Sequence, residues 1–313
     1  MSKPLRAIVA TGLVVGVALL ALCVLANWCP PLDIVNDGLP FLAAGSVALL
    51  ALAFTTGSRK RIGAAAILLA LVFTLLLSGL PGMAPQAPDG SERFLRVVTF
   101  NLWGRNDHHL DRVAAFLADA DADADAVVLQ EARGHHTAFL ETLSTRYPHR
   151  TGENGLVILS KYPILSDNRI DREGYPPWIS LMVLRATLDV NGKPVDLAGV
   201  HLARPFYPEL QQADIVALTR FVQDHRGPLI LADDFNMTPW TVKLKGFTDA
   251  TGLGRFNTFH PTWPMHWHEL PLLPFVAIDN VFTSRHFANI ATKLGPRLDS
   301  DHRPVIADIA LIE

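Results

Sequence analysis

The stretch "LILADDFNMTPW", Leu229 to Trp240, runs from four apolar residues directly into two adjacent carboxylates. An apolar run of this kind is typical of a buried strand, and charged groups are costly to bury unless they are paired or bind a metal. Successive side chains of a strand point to opposite faces. We therefore predict that Asp234 and Asn236 share one face, that Asp233 shares the other with Phe235, and that the two acids do different work.

Polar side chains that are able to bind metals also end other apolar runs of the chain. They are Asn101 after "VVTF", Glu131 after "VVLQ", His201 after "LAGV", Asp279 within "AIDNVF", and Asp301 and His302 before "RPVIADIAL". One such residue is ordinarily a hydrogen-bonded core or edge residue. Strand ends of a layered sheet, however, converge on one rim, where ligand sites are commonly built. The recurrence therefore predicts a single polar site at that rim.

The oxygen ligands in this set favour a hard divalent cation. Asn101, Glu131 and Asp301 offer amide and carboxylate oxygens, which suit Mg²⁺ or Mn²⁺ better than zinc. A divalent ion on a phosphate oxygen offsets the charge that builds in the transition state. The expected cofactor is therefore Mg²⁺ or Mn²⁺, bound by these three residues.

The remaining polar residues supply acid–base groups for the same chemistry. Asp234 and Asn236 are placed to orient and deprotonate a water molecule. His201 and His302 are candidates to protonate a leaving oxygen and to stabilise the transition state, and Asp279 is a candidate to orient one imidazole. Together they predict hydrolysis of a phosphate ester, in which positioning and electrostatics carry the catalysis.

The order of elements predicts mixed sheets with helices outside, because strands both alternate with helices and meet at the hairpin signal "NGK", residues 191–193. The predicted strands cover 94–103, 126–132, 155–160, 178–190, 193–202, 228–235, 277–284 and 304–312. Helices are predicted at about 108–119, 136–146 and 208–225.

The N-terminal part of the chain has the composition of a membrane anchor. Half of the 313 residues are hydrophobic, the mean hydropathy is +0.24, and the excess lies in segments 7–27, 39–56 and 63–80. Each segment is long enough for a transmembrane helix. A cleaved signal peptide is the competing interpretation of the first segment, but two further apolar segments follow it. We predict three membrane helices within residues 1–80 and insertion into a lipid bilayer.

Basic residues predict the orientation of these helices. Lys3 and Arg6 precede the first segment, and "RKR" (59–61) joins the second to the third. Such clusters mark the cytoplasmic side, so the N-terminus is expected in the cytoplasm. Three crossings would place everything after residue 80 outside the cytoplasm, in the periplasm if the membrane is a bacterial inner membrane.

The rest of the chain is predicted to be one linker and one domain. Residues 81–93 are rich in Pro and Gly, and residues 94–313 are long enough for one sizeable core. This domain carries 21 Lys and Arg against 26 Asp and Glu, a formal net charge of −5, and it lacks cysteine. It therefore offers no excess of basic residues for binding nucleic acid and holds no disulfide.

Several of these segments together resemble a known superfamily. In order they are "TFNLW", "VVLQE", "GLVILSKYPI", "AGVHL", "LILADDFN", "IDNVF" and "SDHRPV". Residues 94–313 are identified on them as a member of the endonuclease/exonuclease/phosphatase superfamily, similar to its membrane-anchored bacterial branch. The resemblance implies a four-layer α/β/β/α sandwich of the deoxyribonuclease I-like type.

The resemblance also implies roles for individual residues. Asn101 and Glu131 become metal ligands, Asp234 becomes the water-activating base, and Asn236 becomes a phosphate or water contact. His302 becomes a catalytic histidine, beside a metal-proximal Asp301 and supported by Asp279. With a histidine at position 201, the chain is similar to the deoxyribonuclease, sphingomyelinase and phosphatase branches of the superfamily. The chain departs from the superfamily pattern at Asp233, where glycine is usual, and at Asn280.

Two functions remain as alternatives from the sequence. The first is a membrane-anchored, metal-dependent phosphodiesterase or phosphatase, acting on nucleic acid or on a phospholipid headgroup. The second is a non-catalytic module that binds a phosphorylated ligand, although the complete set of catalytic groups favours the enzyme. The segment "PTWPMHWHELPLLPF" (261–275) is either an aromatic lip at the membrane interface or a rim packed on the domain. No protein partner is predicted.

Overall fold

The computed structural model describes residues 3–106, 110–119, 123–172, 181–257, 259–267 and 270–312. Its helices in chain order are α1 (Lys3–Leu25), α2 (Ile34–Asp37), α3 (Leu39–Thr55), α4 (Arg59–Leu77), α5 (Leu110–Ala118), α6 (Thr137–Thr142), α7 (Pro208–Asp224) and α8 (Val242–Thr251). Its strands are β1 (Leu95–Asn101), β2 (Ala126–Ala132), β3 (His149–Glu153), β4 (Gly155–Ser160), β5 (Ile164–Asp171), β6 (Leu181–Val190), β7 (Lys193–His201), β8 (Leu229–Asp234), β9 (Gly254–Arg255), β10 (His266–Trp267), β11 (Leu270–Pro271), β12 (Asp279–Thr283), β13 (Phe287–Leu294) and β14 (Val305–Leu311).

The N-terminal helices are apolar and pack on one another. Helices α1 and α4 are each long and apolar enough to cross a membrane, and residues 30–37 with α3 make a third such span if the pair, bent by 57°, is counted as one. The helices approach closely at two glycines, since a Cβ at Gly12 would lie 2.7 Å from a δ-methyl of Leu49 and one at Gly16 2.6 Å from a δ-methyl of Leu68. Small residues allow helices to approach in this way.

Two mixed, six-stranded sheets form the rest of the fold. The first has the strand order β13-β14-β1-β2-β4-β3 and the second β5-β6-β7-β8-β12-β9. Strand β1 runs parallel to β2, and β7 runs parallel to β8, whereas the other pairs within these sheets are antiparallel. Strands β10 and β11 form a separate small hairpin.

The two sheets pack face to face through one set of alternating side chains. Val97, Val128 and Ile158 of the first sheet share a buried core with Leu197 and Ile230 of the second. The opposite faces are covered by helices, as seen where Val113 of α5 packs on the first sheet and Leu218 of α7 packs on the second. Because strand residues alternate between the two faces, each sheet buries both. The four-layer α/β/β/α sandwich predicted from the sequence is confirmed.

Several elements differ from the sequence prediction. Strands β3, β5 and β13 and helix α8 were not predicted. The strands β3 and β5 consist mostly of exposed or half-exposed residues, so they lack the apolar alternation that marks a strand. Helix α6 is shorter than the predicted 136–146, because a 3₁₀ turn over Gly134–His136 precedes it and the helix ends at Thr142. Residues 108–109 and 178–180 of two predicted elements lie outside the described part.

Candidate active site

Strand ends from both sheets meet at one rim and carry the predicted residues. In the first sheet, Asn101 ends β1 and Glu131 lies near the end of β2. In the second sheet, His201 ends β7 and is paired in register with Asp234 at the end of β8. Since β12 is antiparallel to β8, its first residue, Asp279, lies opposite Asp234.

A hydrogen bond between Asn101 and Asp234 joins the two sheets at this rim. The Asn101 Nδ2 donates to Asp234 Oδ2 at 2.9 Å, and the same nitrogen lies 3.5 Å from Glu131 Oε1. The amide oxygen of Asn101 accepts from the Trp103 backbone at 2.8 Å. Both Asn101 and Asp234 are about 1% exposed. The amide is therefore held in a single orientation, with nitrogen toward the base and oxygen on the opposite side.

A β-bulge directs Glu131 into the site. The register between β2 and β4 shifts between Gln130 and Ala132, and Glu131 has a left-handed φ of 54°. Bulges of this kind are often found beside active sites, where they re-aim a side chain. Glu131 Oε2 accepts from the Gly104 amide at 2.8 Å, and Oε1 lies 3.3 Å from Arg204 Nη2.

The surroundings of Glu131 keep it ionised. Burial alone would raise its pKa, but nearby His201, the Gly104 amide and Arg204 outweigh burial and lower the pKa to about 2. An ionised, half-buried carboxylate of this kind is suited to bind a cation.

His302 and Asp279 form a buried pair. The imidazole Nδ1 lies 2.8 and 3.0 Å from the two carboxylate oxygens of Asp279, and Nε2 lies 3.8 Å from Asp234 Oδ2. Burial disfavours the charged imidazole, but the carboxylates of Asp279 and Asp234 outweigh it and raise the pKa of His302 to about 10. His302 is therefore protonated at neutral pH, with Nε2 directed toward the rim.

Asp234 lies between two imidazoles. Its Oδ2 is 3.8 Å from Nε2 of both His201 and His302, and its Oδ1 accepts from the Asn236 backbone amide at 2.9 Å. Burial raises the pKa of Asp234, and the neighbouring His302 opposes that rise. The carboxylate is thus a stronger base than an exposed aspartate, held in place at both oxygens.

Asp301 carries an unsatisfied buried oxygen. Its Oδ2 accepts from Trp263 Nε1 at 3.3 Å, but Oδ1 has no hydrogen-bond partner among the described residues and lies 3.9 Å from His302 Nε2. An orphaned carboxylate oxygen is costly unless a cation or water satisfies it. Like the carboxylate of Glu131, it is a hard-oxygen donor of the kind that Mg²⁺ and Mn²⁺ prefer.

A second group at the rim is also compact enough to hold a cation. Asp234, Asp279 and His302 offer ligand atoms that lie within 4.8 Å of one another. The short bond between His302 and Asp279 already uses the imidazole Nδ1 and the Asp279 carboxylate. We therefore favour the oxygen set of Asn101, Glu131 and Asp301 for the metal and leave this group its acid–base role.

Asn236 does not follow the alternation expected from the sequence. Strand β8 ends at Asp234, and Asn236 has a left-handed φ of 52°, so strand geometry does not fix the direction of its side chain. Its Nδ2 donates to the Leu202 carbonyl at 3.1 Å, which ties the loop after Asp234 to the loop after His201.

Residues that sequence reasoning missed also hold the rim together. Ser300 Oγ donates to the Asn101 carbonyl at 2.7 Å and accepts from the His302 amide at 3.0 Å. Arg204 lies against Glu131, and Trp263 lies against Asp301. Ser300 stands within "SDHRPV" and Arg204 three residues after His201, so their positions beside predicted site residues were the available signal.

A buried ion pair supports the His201 loop. Arg172 makes two bonds to Asp214, from Nε at 2.7 Å and from Nη2 at 2.9 Å, and also donates to the His201 carbonyl at 2.9 Å. Asp214 further accepts from the Ala203 amide at 2.7 Å, and its side chain is only 1% exposed. The pair therefore fixes the backbone on which His201 stands.

Removal of this arginine is expected to destabilise the protein strongly. Arg172→Ala leaves Asp214 buried without its charge partner, which typically costs about 3–5 kcal/mol. Arg169→Ala is the matched control, because the ion pairs of Arg169 with described residues are long and exposed, at 3.7 and 3.9 Å, and their loss should cost less than about 1 kcal/mol. Denaturant unfolding of the detergent-solubilised chain measures both. Equal, small losses for the two variants would contradict the role given to Arg172.

Asp233 faces away from the rim, as the sequence predicted. The carboxylate is completely buried, and neither oxygen has a hydrogen-bond partner within the described part of the chain. Burial and the nearby Asp279 and Asp234 raise its pKa well above the usual value, and the Asn280 backbone amide, which lies nearby but makes no hydrogen bond of normal geometry to the carboxylate, only partly offsets this rise. Asp233 is therefore a protonated acid in the core beneath the second sheet.

We expect Asp233→Ala to stabilise the protein in a pH-dependent way. A group whose pKa is higher in the folded state penalises folding as pH rises above its unfolded pKa of about 4 and onward through its folded pKa. The gain should therefore be larger at pH 8 than at pH 5, and about 1–3 kcal/mol for an unsatisfied buried group. Exposed Asp249→Ala is the control. Asp233→Ala destabilising the fold equally at both pH values would refute this account.

The fold and this rim define a deoxyribonuclease I-like, metal-dependent phosphoesterase. The model of the Endonuclease/Exonuclease/phosphatase family matches residues 98–302, and the chain belongs to that family. It is accordingly a hydrolase that acts on phosphate ester bonds. No curated protein sequence matches the chain.

Solved structures with the same fold include several bacterial proteins. An endonuclease/exonuclease/phosphatase family protein from Bacteroides thetaiotaomicron has a TM-score of 0.56 and 15% identity over 70% of this chain and 98% of its own. Sphingomyelinase C from Streptomyces griseocarneus has a TM-score of 0.52 and 19% identity over 68% and 98%. A mutant beta toxin from Staphylococcus aureus with bound magnesium ions has a TM-score of 0.54 and 15% identity over 68% and 99%. At these identities the likeness is one of fold.

Proposed function

We propose that the protein is a membrane-anchored phosphodiesterase that hydrolyses its substrate with a water molecule activated by Asp234. The observation that carries this proposal is the position of Asp234 Oδ2, 3.8 Å from Nε2 of both His201 and His302 and beside the Asn101 amide. One base and two imidazoles thus lie together at the rim.

The metal is proposed to be Mg²⁺ or Mn²⁺, held by Asn101, Glu131 and Asp301. When bound, it supplies positive charge that offsets the negative charge on the phosphate oxygens. The unsatisfied Oδ1 of Asp301 and the depressed pKa of Glu131 support this assignment. The magnesium bound by the beta toxin mutant of the same fold is consistent with it.

The protein's own groups complete the reaction. Asp234 takes a proton from water as the water oxygen forms a bond to phosphorus, and its raised pKa favours that transfer. Protonated His302 donates a hydrogen bond from Nε2 to a phosphate oxygen, since Asp279 holds Nδ1. As the phosphorus–oxygen ester bond breaks, half-exposed His201 supplies a proton to the leaving oxygen. Asn236 holds the base through its backbone amide.

The proposed location is a bacterial plasma membrane, with the catalytic domain outside the cytoplasm. Lys3 and Arg6 at the start of α1 lie at one end of the helices with the cluster at residues 59–61. The end of α1, the start of α3 and the end of α4 lie at the other, which is the end that continues into the catalytic domain. The positive-inside rule assigns the basic end to the cytoplasm.

Substrate assays of the full chain in detergent test the proposed function. We expect Mg²⁺-dependent hydrolysis of bis-p-nitrophenyl phosphate, lost on chelation, with DNA, RNA, phospholipid and a phosphomonoester as further substrates. The site variant Asp234→Asn should lose this turnover, and Asp249→Asn, the same change at an exposed position, is its control. If neither Mg²⁺ nor Mn²⁺ supported turnover of any of these substrates, the protein would instead be a module that binds a phosphorylated ligand.

A further inference from the structure

We infer that the N-terminal helices hold the active-site rim against the outer surface of the bilayer, and that the substrate is a glycerophospholipid of that same membrane. This inference rests on the proposed function and adds the class of substrate. Its support lies in the contacts between the ends of the helices and the catalytic domain, and in the aromatic side chains that lead from those contacts to the rim.

The segment between α1 and α3 binds the N-terminus of helix α8. The Asp33 carboxylate accepts from the amides of Val242 at 2.8 Å and of Lys243 at 3.1 Å, and it lies 3.7 Å from Lys243 Nζ. A carboxylate at a helix N-terminus satisfies free amides and complements the helix dipole. Asp37 accepts from the Thr238 amide at 2.9 Å. Thr238 follows Asp234 by four residues, so this contact lies on the loop that leaves the active site.

The end of α4 binds the same face of the domain. Trp240 Nε1 donates to the Leu76 carbonyl at 3.0 Å, and Lys245 Nζ donates to Ser78 Oγ at 2.9 Å. Buried Arg255 donates to the Gly79 carbonyl at 2.8 Å. Two separate parts of the chain, the segment before α3 and the end of α4, thus contact one face of the domain. Attachment at several points fixes the orientation of the active-site rim relative to the helices.

A row of aromatic rings connects the start of α3 to the active-site rim. Phe41, in the first turn of α3, packs edge-to-face on Phe275 with ring centroids 5.3 Å apart. Phe275 lies 6.4 Å from Trp263, and Trp263 Nε1 donates to Asp301 at 3.3 Å. The start of α3 lies at the outer end of the helices. The part of the rim beside Trp263 therefore lies at the level of the lipid headgroups, where aromatic side chains are enriched.

Large apolar side chains in the same part of the chain are exposed. Leu270 is 66% exposed and Leu273 80%, and Leu273 stands two residues before Phe275. Phe259, 63% exposed, lies beside Trp240 with ring centroids 6.4 Å apart, and Trp240 bonds to the end of α4. Exposed apolar side chains of this kind mark a site of interaction, and the contacts of Phe275 and Trp240 with the N-terminal helices favour the lipid surface as the partner. The domain's formal charge of −5 gives no excess of basic residues for a polyanionic partner such as nucleic acid.

The phosphodiester of a lipid also lies at the headgroup level of the bilayer, beside this part of the rim. Hydrolysis then forms a bond between the water oxygen and phosphorus and breaks one phosphorus–oxygen ester bond of the lipid. The water proton goes to Asp234 and the leaving oxygen receives one proton, so no other reactant is required. A phospholipid of the same bilayer would reach the active-site rim by lateral diffusion.

Reconstitution of the full chain tests this inference. Proteoliposomes of phosphatidylethanolamine and phosphatidylglycerol receive Mg²⁺ and labelled lipid, either in the same vesicles as the protein or in separate vesicles, and bis-p-nitrophenyl phosphate measures turnover of a soluble diester. We expect labelled lipid to be hydrolysed only in the shared vesicles. Soluble turnover without lipid turnover, or equal turnover of lipid in separate vesicles, would overturn the inference. Loss of soluble turnover as well would instead remove the proposed function.

Variants of the exposed leucines separate lipid access from chemistry. We expect the double variant Leu270→Ser and Leu273→Ser to lower lipid turnover by about tenfold or more, since it removes two side chains from contact with lipid. Its turnover of the soluble diester should match that of the unchanged protein. The control is Leu165→Ser. Leu165 is a similarly exposed leucine on β5, one edge strand of the second sheet, whereas the other edge strand, β9, carries Arg255, which bonds to Gly79 after α4. Equal effects of the two variants on lipid turnover would contradict the assigned surface.

Discussion

Replacing Asp234 by asparagine is expected to lower kcat for bis-p-nitrophenyl phosphate by about 10²–10⁴-fold, the usual contribution of a general base. The change removes the basic oxygen while keeping the size of the side chain. Its single amide oxygen can still accept from one of the two amides, Asn101 Nδ2 or the Asn236 backbone, that bond to the carboxylate at 2.9 Å. The fold should therefore survive, and KM should change little.

The control for this prediction is Asp249→Asn, which makes the same change at an exposed position on helix α8. Its kcat should equal that of the unchanged protein. Unfolding curves of both variants in detergent report whether the fold is intact. A folded Asp234→Asn variant with undiminished turnover would contradict the assignment of the base.

The second large effect is expected at the pair of His302 and Asp279. His302→Gln should lower kcat by about 10²–10³-fold, as does removal of one donor that stabilises transition-state charge. The combined variant with Asp279→Asn should lose little more than His302→Gln alone, because residues that act as a unit are not additive.

The pH profile distinguishes this role from a merely structural one. His302 must be protonated to donate from Nε2, and with its pKa at about 10 the activity should fall only as pH rises through about 10. Asp279→Asn removes a carboxylate that raises this pKa, so the alkaline limb should move to lower pH. His286→Gln, at a histidine that contacts Ser284, is the control and should leave the limb in place. An unmoved limb in Asp279→Asn would sink the proposed pairing.

The sequence was a good guide to the site where backbone and pattern agree. Asn101, His201 and Asp234 each end an apolar strand, so the geometry of sheets was enough to bring them to one rim. Asn236 shows where this reasoning fails. The chain turns through a left-handed conformation directly after β8, and such a turn removes the alternation on which the prediction relied. Glu131 reaches the rim through a bulge that no residue pattern announced.

Contacts between distant segments were the part that the sequence could not predict. Composition identified the apolar helices, but it gave no sign of what Asp33 and Asp37 contact. Their hydrogen bonds to Val242 and Thr238 span more than 200 positions of the chain. The segment predicted as a linker, 81–93, likewise bonds to the domain, with Ala84 donating to the Arg255 carbonyl at 2.9 Å. Such pairings depend on tertiary packing, which local propensity and periodicity do not encode.

The central claim is that this rim hydrolyses phosphodiesters with a bound divalent metal. The most direct measurement is the turnover of bis-p-nitrophenyl phosphate by metal-free full-length protein as Mg²⁺ is added back, beside Glu131→Gln and Asp234→Asn. We predict no turnover without metal, saturable recovery for the unchanged protein, recovery only at much higher Mg²⁺ for Glu131→Gln, and recovery to at most about 1% of the unchanged turnover for Asp234→Asn, which lacks the general base. Full turnover by the metal-free protein, or identical Mg²⁺ curves for the unchanged protein and Glu131→Gln, would contradict the account.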